Sequence, residues 1–159
     1  MDKQYVSVLV ESLEKKLGVL EKIHQLCQKQ AEAITKEPAD FEEFDRCMDE
    51  KDGCIQELDK LDEGFEILYN RVAQELKDNK ALYTDQIRRM QETISEIMGK
   101  STLIQALEER NKRAVESAFA KERKEITKGK RSLSVAMNYY RSMRGSVDAV
   151  EPQYMDKKK

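Results

Sequence analysis

Glu21-Lys22-Ile23-His24 has the Glu-x-x-His spacing with which helical bundles present a carboxylate and an imidazole to a di-iron or di-manganese centre. That chemistry needs two such motifs and two further inward glutamates, and the chain has one histidine. Only a symmetric dimer could supply the second motif. His24 is therefore read as a partly buried seam residue with a local hydrogen-bond partner, and no metal ligand is assigned. The same lone histidine has no recognisable nucleophile to serve, which argues against a Ser–His or Cys–His hydrolase. Adjacent carboxylates such as Glu42-Glu43 and Asp62-Glu63 would do acid–base work only in a cleft that raises one pKa. On a helix such neighbours point about 100° apart, as solvated faces place them. No catalytic residue and no cofactor is expected.

The basic run Lys121, Arg123, Lys124, Lys128, Lys130, Arg131 is the one stretch that invites a nucleic-acid reading. Glu122 and Glu125 interrupt it, no aromatic falls inside it for base stacking, and the sequence pI is near 5.7. It is read as a solvated face or a partner for acidic helix two, and nucleic acid is not expected as a partner. Cys27, Cys47 and Cys54 form an odd set without a CxxC pair, as reduced thiols of a cytoplasmic protein would, with Cys27 filling a seam.

The elements that must carry these residues are helices. Stepping by four and then three from Val6 gives Val6, Val10, Leu13, Leu17, Leu20, His24, Cys27, Ala31 and Ile34, apolar at every place but His24. This spacing keeps one stripe of a helix turned toward a partner helix. Helix one is expected over 3–36 and is ended by Pro38. Asp40 is placed as the N-cap of helix two, with Glu43 completing a capping box. Helix two is expected over 41–77, antiparallel to helix one because the connection is short. Its seam reads Phe44, Met48, Lys51, Ile55, Leu58, Asp62, Phe65, Tyr69, Val72, Leu76, with Lys51 and Asp62 as flaws. After a turn at 77–80, helix three runs through Tyr83, Ile87, Met90, Ile94 and Ile97. Gly99 and Ser101 are candidates to interrupt it before Ile104, Leu107, Asn111, Val115 and Ala118. No strand pattern and no internal repeat is visible.

The chain has 159 residues with 38% charged, 6% aromatic, no Trp, 6 Gly and 2 Pro, which suits long helices with narrow seams better than a thick globular core. The fold expected is all-α: a long antiparallel helical hairpin or three-helix coiled-coil bundle with an extended C-terminal helix. It divides into a single helical domain, 1–144, and a flexible tail, 145–159. Residues 1–100 hold 15 basic and 23 acidic side chains, whereas 101–159 hold 14 basic and 8 acidic. The opposite signs suit pairing among the chain's own helices. No apolar run reaches a membrane span of about 20 residues, and the charged start shows no secretory signal, so no membrane insertion is expected.

One more stripe closes the pattern: Leu133, Met137 and Tyr140, with Ala136 and Met143 beside it. It can close the bundle, or it can stay open and lay an apolar face against a partner helix. Methionine adapts well to such a surface.

Asp49-Glu50-Lys51 leading into Ile55, Leu58 and Leu61 resembles the second helix of FlgN-type flagellar export chaperones. Glu108-Glu109-Arg110-Asn111 followed by Val115 resembles that family's Glu-x-x-Asn segment in the third helix, and the ending from Pro152 to Lys159 is similar to endings within it. The resemblance implies a cytoplasmic chaperone for type III flagellar secretion that needs no ATP or metal. Its clients would be hook-associated proteins, whose terminal helices it would shield and carry to the export gate and its ATPase apparatus. The client contact implied falls on Leu133, Met137, Tyr140 and Met143. FliT-type filament-cap chaperones share the layout and are the nearest alternative. A structural coiled-coil adaptor without a client is another, and both a monomer and a homodimer fit the seams.

Overall fold

The computed structural model of the protein describes residues 2–122 and Tyr139. Three long helices follow one another: α1, Asp2–Ile34; α2, Phe41–Asp78; and α3, Thr84–Lys121. No strand occurs among the described residues. The all-α bundle expected from the heptads is therefore what forms, and the bounds of α1 and α2 and the start of α3 fall within a few residues of their expected places.

The arrangement turns on α1. It packs extensively against both α2 and α3, while the backbones of α2 and α3 scarcely meet. A helix in that position needs more than one buried stripe, and α1 has it. Val6, Leu13, Leu20, Cys27 and Ile34 are buried as the heptad predicts. Beside them Leu9, Lys16, Ile23 and Gln30, spaced by seven, are buried too. This second row lies deeper than the expected companions Leu17, His24 and Ala31, which are only half-buried. Its two polar members, Lys16 and Gln30, hide the row from a reading by hydrophobicity alone.

The α1–α2 connection contains a cis Glu37–Pro38 peptide. Asp40 caps α2, its Oδ1 accepting from the Glu43 backbone N–H at 3.0 Å. Only this half of the capping box forms. The Asp40 N–H donates instead to the Ala33 carbonyl at 2.9 Å, and the Glu43 carboxylate pairs with Arg46. The turn between α2 and α3 is a 3-10 segment, Lys80–Tyr83, pinned by buried Tyr83, whose hydroxyl donates to Glu75 at 3.2 Å. α3 runs through Gly99 and Ser101 without a break. Gly99 faces solvent and Ser101 is buried, so neither opposes the helix where it stands.

The two flaws of the α2 seam are ion-pair positions. Asp62 receives Lys16 of α1 at 2.8 Å, and burial still holds its carboxyl above the usual carboxylate range. Lys51 is fully buried and reaches Glu108 of α3.

Candidate functional site

The most unusual place in the bundle is built from one residue of each helix. Cys27 comes from α1, Lys51 from α2 and Glu108 from α3. Lys51 Nζ donates to Glu108 Oε1 at 2.6 Å, the Cys27 thiol donates to the same oxygen at 2.6 Å, and Lys51 Nζ lies 3.7 Å from Cys27 Sγ. The Lys51 side chain is 0% exposed and that of Glu108 8%. An ion pair this deep persists only when each charge neutralises the other, since desolvation of either alone is prohibitive.

Neighbouring amides extend the network. Asn111 Nδ2 donates to the Cys27 carbonyl at 2.9 Å, and Gln30 Nε2 donates to the Phe44 carbonyl at 3.1 Å. Both side chains are completely buried. The Glu108–Asn111 pair singled out from the sequence thus turns inward and ties α3 to α1 and α2. Cys27 does more than fill a seam. Burial pushes its thiol far above the usual range, so it acts as a neutral donor to Glu108 and not as a nucleophile.

A fourth piece of chain enters here. Tyr139 is helical and 3% exposed, and its ring centroid lies 4.1 Å from Lys51 Nζ. That is a cation–π contact made out of water, where such contacts are strongest. Nothing in the sequence pattern singled out Tyr139. The available signal was Lys51 itself, a charge at a seam position that asks for an anion and a cover.

The other expected positions are quickly placed. Glu21 pairs with Lys100 of α3 at 2.7 Å, which lowers the Glu21 pKa. His24 Nδ1 lies 3.3 Å from the same Lys100 nitrogen. The Glu-x-x-His motif is therefore spent on an ion pair at the α1–α3 boundary, and among the described residues no cluster of three potential metal ligands forms. Leu133, Met137, Tyr140 and Met143 lie outside the described residues, as does the basic run beyond Glu122.

Among the described residues, two of the hollows lie on the surface of the bundle. One, of about 230 Å³, lies on the outer face of α1 and α2 between Val8, Leu61, Gly64, Phe65 and Leu68. The other, of about 240 Å³, opens between the α1–α2 connection and the end of α3, bounded by Ile34, Glu37, Ala114, Ser117 and Lys121. Val8, Ile67, Leu82 and Leu103 are large apolar side chains left exposed. No described helix is long and apolar enough to cross a membrane.

The geometry is that of a scaffold: three rods tied by a buried polar knot, with a later residue of the chain returned to that knot. Comparison with curated proteins and with solved structures gives no match. The family model described as FlgN protein matches residues 1–142, most of the chain and all three helices. The chain belongs to the FlgN family of flagellar export chaperones.

Proposed function

We propose that this protein is a cytoplasmic carrier for hook-associated proteins of the flagellum. It shields a helical terminal segment of the client and delivers it to the export gate. The observation that carries this reading is the family match over residues 1–142 on a bundle whose described residues form three long amphipathic helices. The client-binding stripe is Leu133, Met137 and Tyr140, with Met143 at its edge.

The energetics suit a carrier. Covering about 600 Å² of apolar surface at about 25 cal/mol per Å² gives a gross gain of about 15 kcal/mol. Loss of rigid-body and side-chain freedom removes much of it, on the order of 4–15 kcal/mol. At the low end of that cost about 11 kcal/mol remains, which sets a ceiling at roughly ten-nanomolar binding, and a larger cost leaves the weaker, micromolar binding of a carrier that must release its client.

The test is capture of purified hook-associated proteins encoded in the same genome, with the filament-cap protein as the comparison. Replacing Met137 and Tyr140 together with Asp should abolish capture while helicity by circular dichroism is unchanged. Undiminished capture by that double variant sinks the site assignment, and preference for the filament-cap protein would move the chaperone to the FliT-type client class.

A further inference from the structure

The hollow of about 230 Å³ on the outer face of α1 and α2 has an apolar floor and a basic rim. Leu61, Phe65 and Leu68 of α2 and Val8 of α1 make the floor and walls, with Val8 left 47% exposed. Gly64 lies among them. α2 is helical without a break from Phe41 to Asp78, and a Cβ at Gly64 would meet nothing within 4 Å. Packing among the described residues therefore gives no reason for a glycine, which weakens a helix relative to alanine. Its missing side chain keeps the hollow open and lets another backbone come close. The rim is set by the antiparallel register of the two helices. The Lys16–Asp62 pair brings Lys15 and Lys60 to one end of the hollow. At the other end, one turn beyond Val8 and Leu68, the Arg71 Cζ lies 5.2 Å from the Tyr5 ring centroid. Lys15, Lys60 and Arg71 are exposed, and among the described residues none of the three is in an ion pair. Glu11 is the one acid in the lining. Residues 1–100 hold 23 acidic and 15 basic side chains, so this rim runs against the charge of its surroundings.

We propose that this hollow docks an acidic amphipathic helix of a partner protein, whatever client the chain carries. A bulky apolar side chain of that helix enters over Gly64. Its carboxylates meet Lys15 and Lys60 at one end and Arg71 at the other. Ten residues separate Tyr5 from Lys15 and eleven separate Lys60 from Arg71, so the two ends lie about 15 Å apart along the helices. The docked helix accordingly presents acids about ten residues apart, with the apolar side chain between them. A second copy of this chain does not fit. Turned end for end or not, a facing copy sets Lys15 and Lys60 against its own lysines or its Arg71, and like charges repel across such a contact.

The probe is a synthetic helical peptide with two glutamates about ten residues apart and a leucine between them, labelled with fluorescein and titrated with the full-length protein by anisotropy. The protein should bind it and should not bind a version with lysines in place of the glutamates. Added salt should weaken the contact, because the rim is exposed. Gly64→Leu fills the hollow and puts a better helix former in α2. It should weaken peptide binding by about tenfold while raising the unfolding temperature. Lys15→Glu with Lys60→Glu, both on the surface, should weaken binding as far with helicity unchanged. Absence of binding by the wild-type protein would overturn the docking site. Undiminished affinity in Gly64→Leu, in the double lysine variant or for the lysine peptide would overturn it as well. So would a wild-type dimer in sedimentation that Gly64→Leu converts to a monomer, since a second copy would then hold the hollow.

Discussion

At the scale of single residues, the bundle spends its unusual chemistry on attachment. Lys51, Glu108 and Cys27 share one oxygen of one carboxylate, and none of the three is placed to react with anything outside. Removing one member of such a pair leaves a naked buried charge. Lys51→Met alone should therefore cost about 3–5 kcal/mol, whereas Lys51→Met with Glu108→Leu should come close to wild-type stability, because apolar replacement of both partners avoids the desolvation penalty. Urea unfolding of the two variants distinguishes these outcomes. Equal destabilisation by single and double would show that the pair itself supplies net stability. Cys27 gives a second check. Its folded thiol is pushed above the value of 9.0 that an exposed thiol has. A raised folded pKa means stability that is complete below the unfolded value and is lost as pH climbs past it. Above about pH 9 the unfolded thiol ionises while the folded one does not, at up to about 1.4 kcal/mol per pH unit. Cys27→Ala should flatten the alkaline limb of stability against pH by that slope, whatever its offset at neutral pH. An unchanged slope would mean that the thiol ionises in the folded state.

Helices were the most legible part of the sequence. Heptad spacing located all three, Pro38 and Asp40 marked the first connection, and most of the α2 seam is buried as read, although Phe41, Cys47 and Cys54 are buried beside it and Asp62 and Tyr69 only partly. The second buried row of α1 escaped because Lys16 and Gln30 look solvent-facing until the partners Asp62 and the Phe44 carbonyl are seen. Pairing across helices is a long-range fact, and periodicity reports only local ones. The same limit made Lys51 and Asp62 look like faults in a seam. Gly99 raised a question that composition could not answer, since glycine permits a break without requiring one. In the folded chain a Cβ at Gly99 would meet nothing within 4 Å, and the helix is regular there. Gly99→Ala should accordingly raise stability by about 1 kcal/mol. A loss of stability, measured by thermal or urea unfolding, would point to a bend that the chain needs.

For the molecule as a whole, charge and seam pattern revealed a scaffold whose purpose is contact, and the motif residues around Glu108 and Asn111 pointed to the family. The site was less legible. The stripe Leu133, Met137 and Tyr140 was visible as a pattern, but nothing in its spacing says which face the bundle will claim. The three described helices bury their own core, so a chain ending at residue 122 should still unfold in one cooperative step by circular dichroism. It should have lost capture of hook-associated proteins altogether. Retained capture would move the binding surface onto α1–α3, where the hollow around Val8 and Leu68 becomes the place to look.

Parallel and antiparallel rods lined with leucine and isoleucine can slide past one another in heptad steps of about 10 Å at little cost, because one greasy layer resembles the next. The knot at Cys27 forbids this. Any such slip would leave Lys51 facing hydrocarbon, Glu108 without its cation and Asn111 without the carbonyl it holds. A handful of polar atoms thereby selects one alignment out of several, as a key pins a shaft. Mutational drift in the surrounding aliphatics should be forgiven more readily than any change to those few hydrophilic teeth.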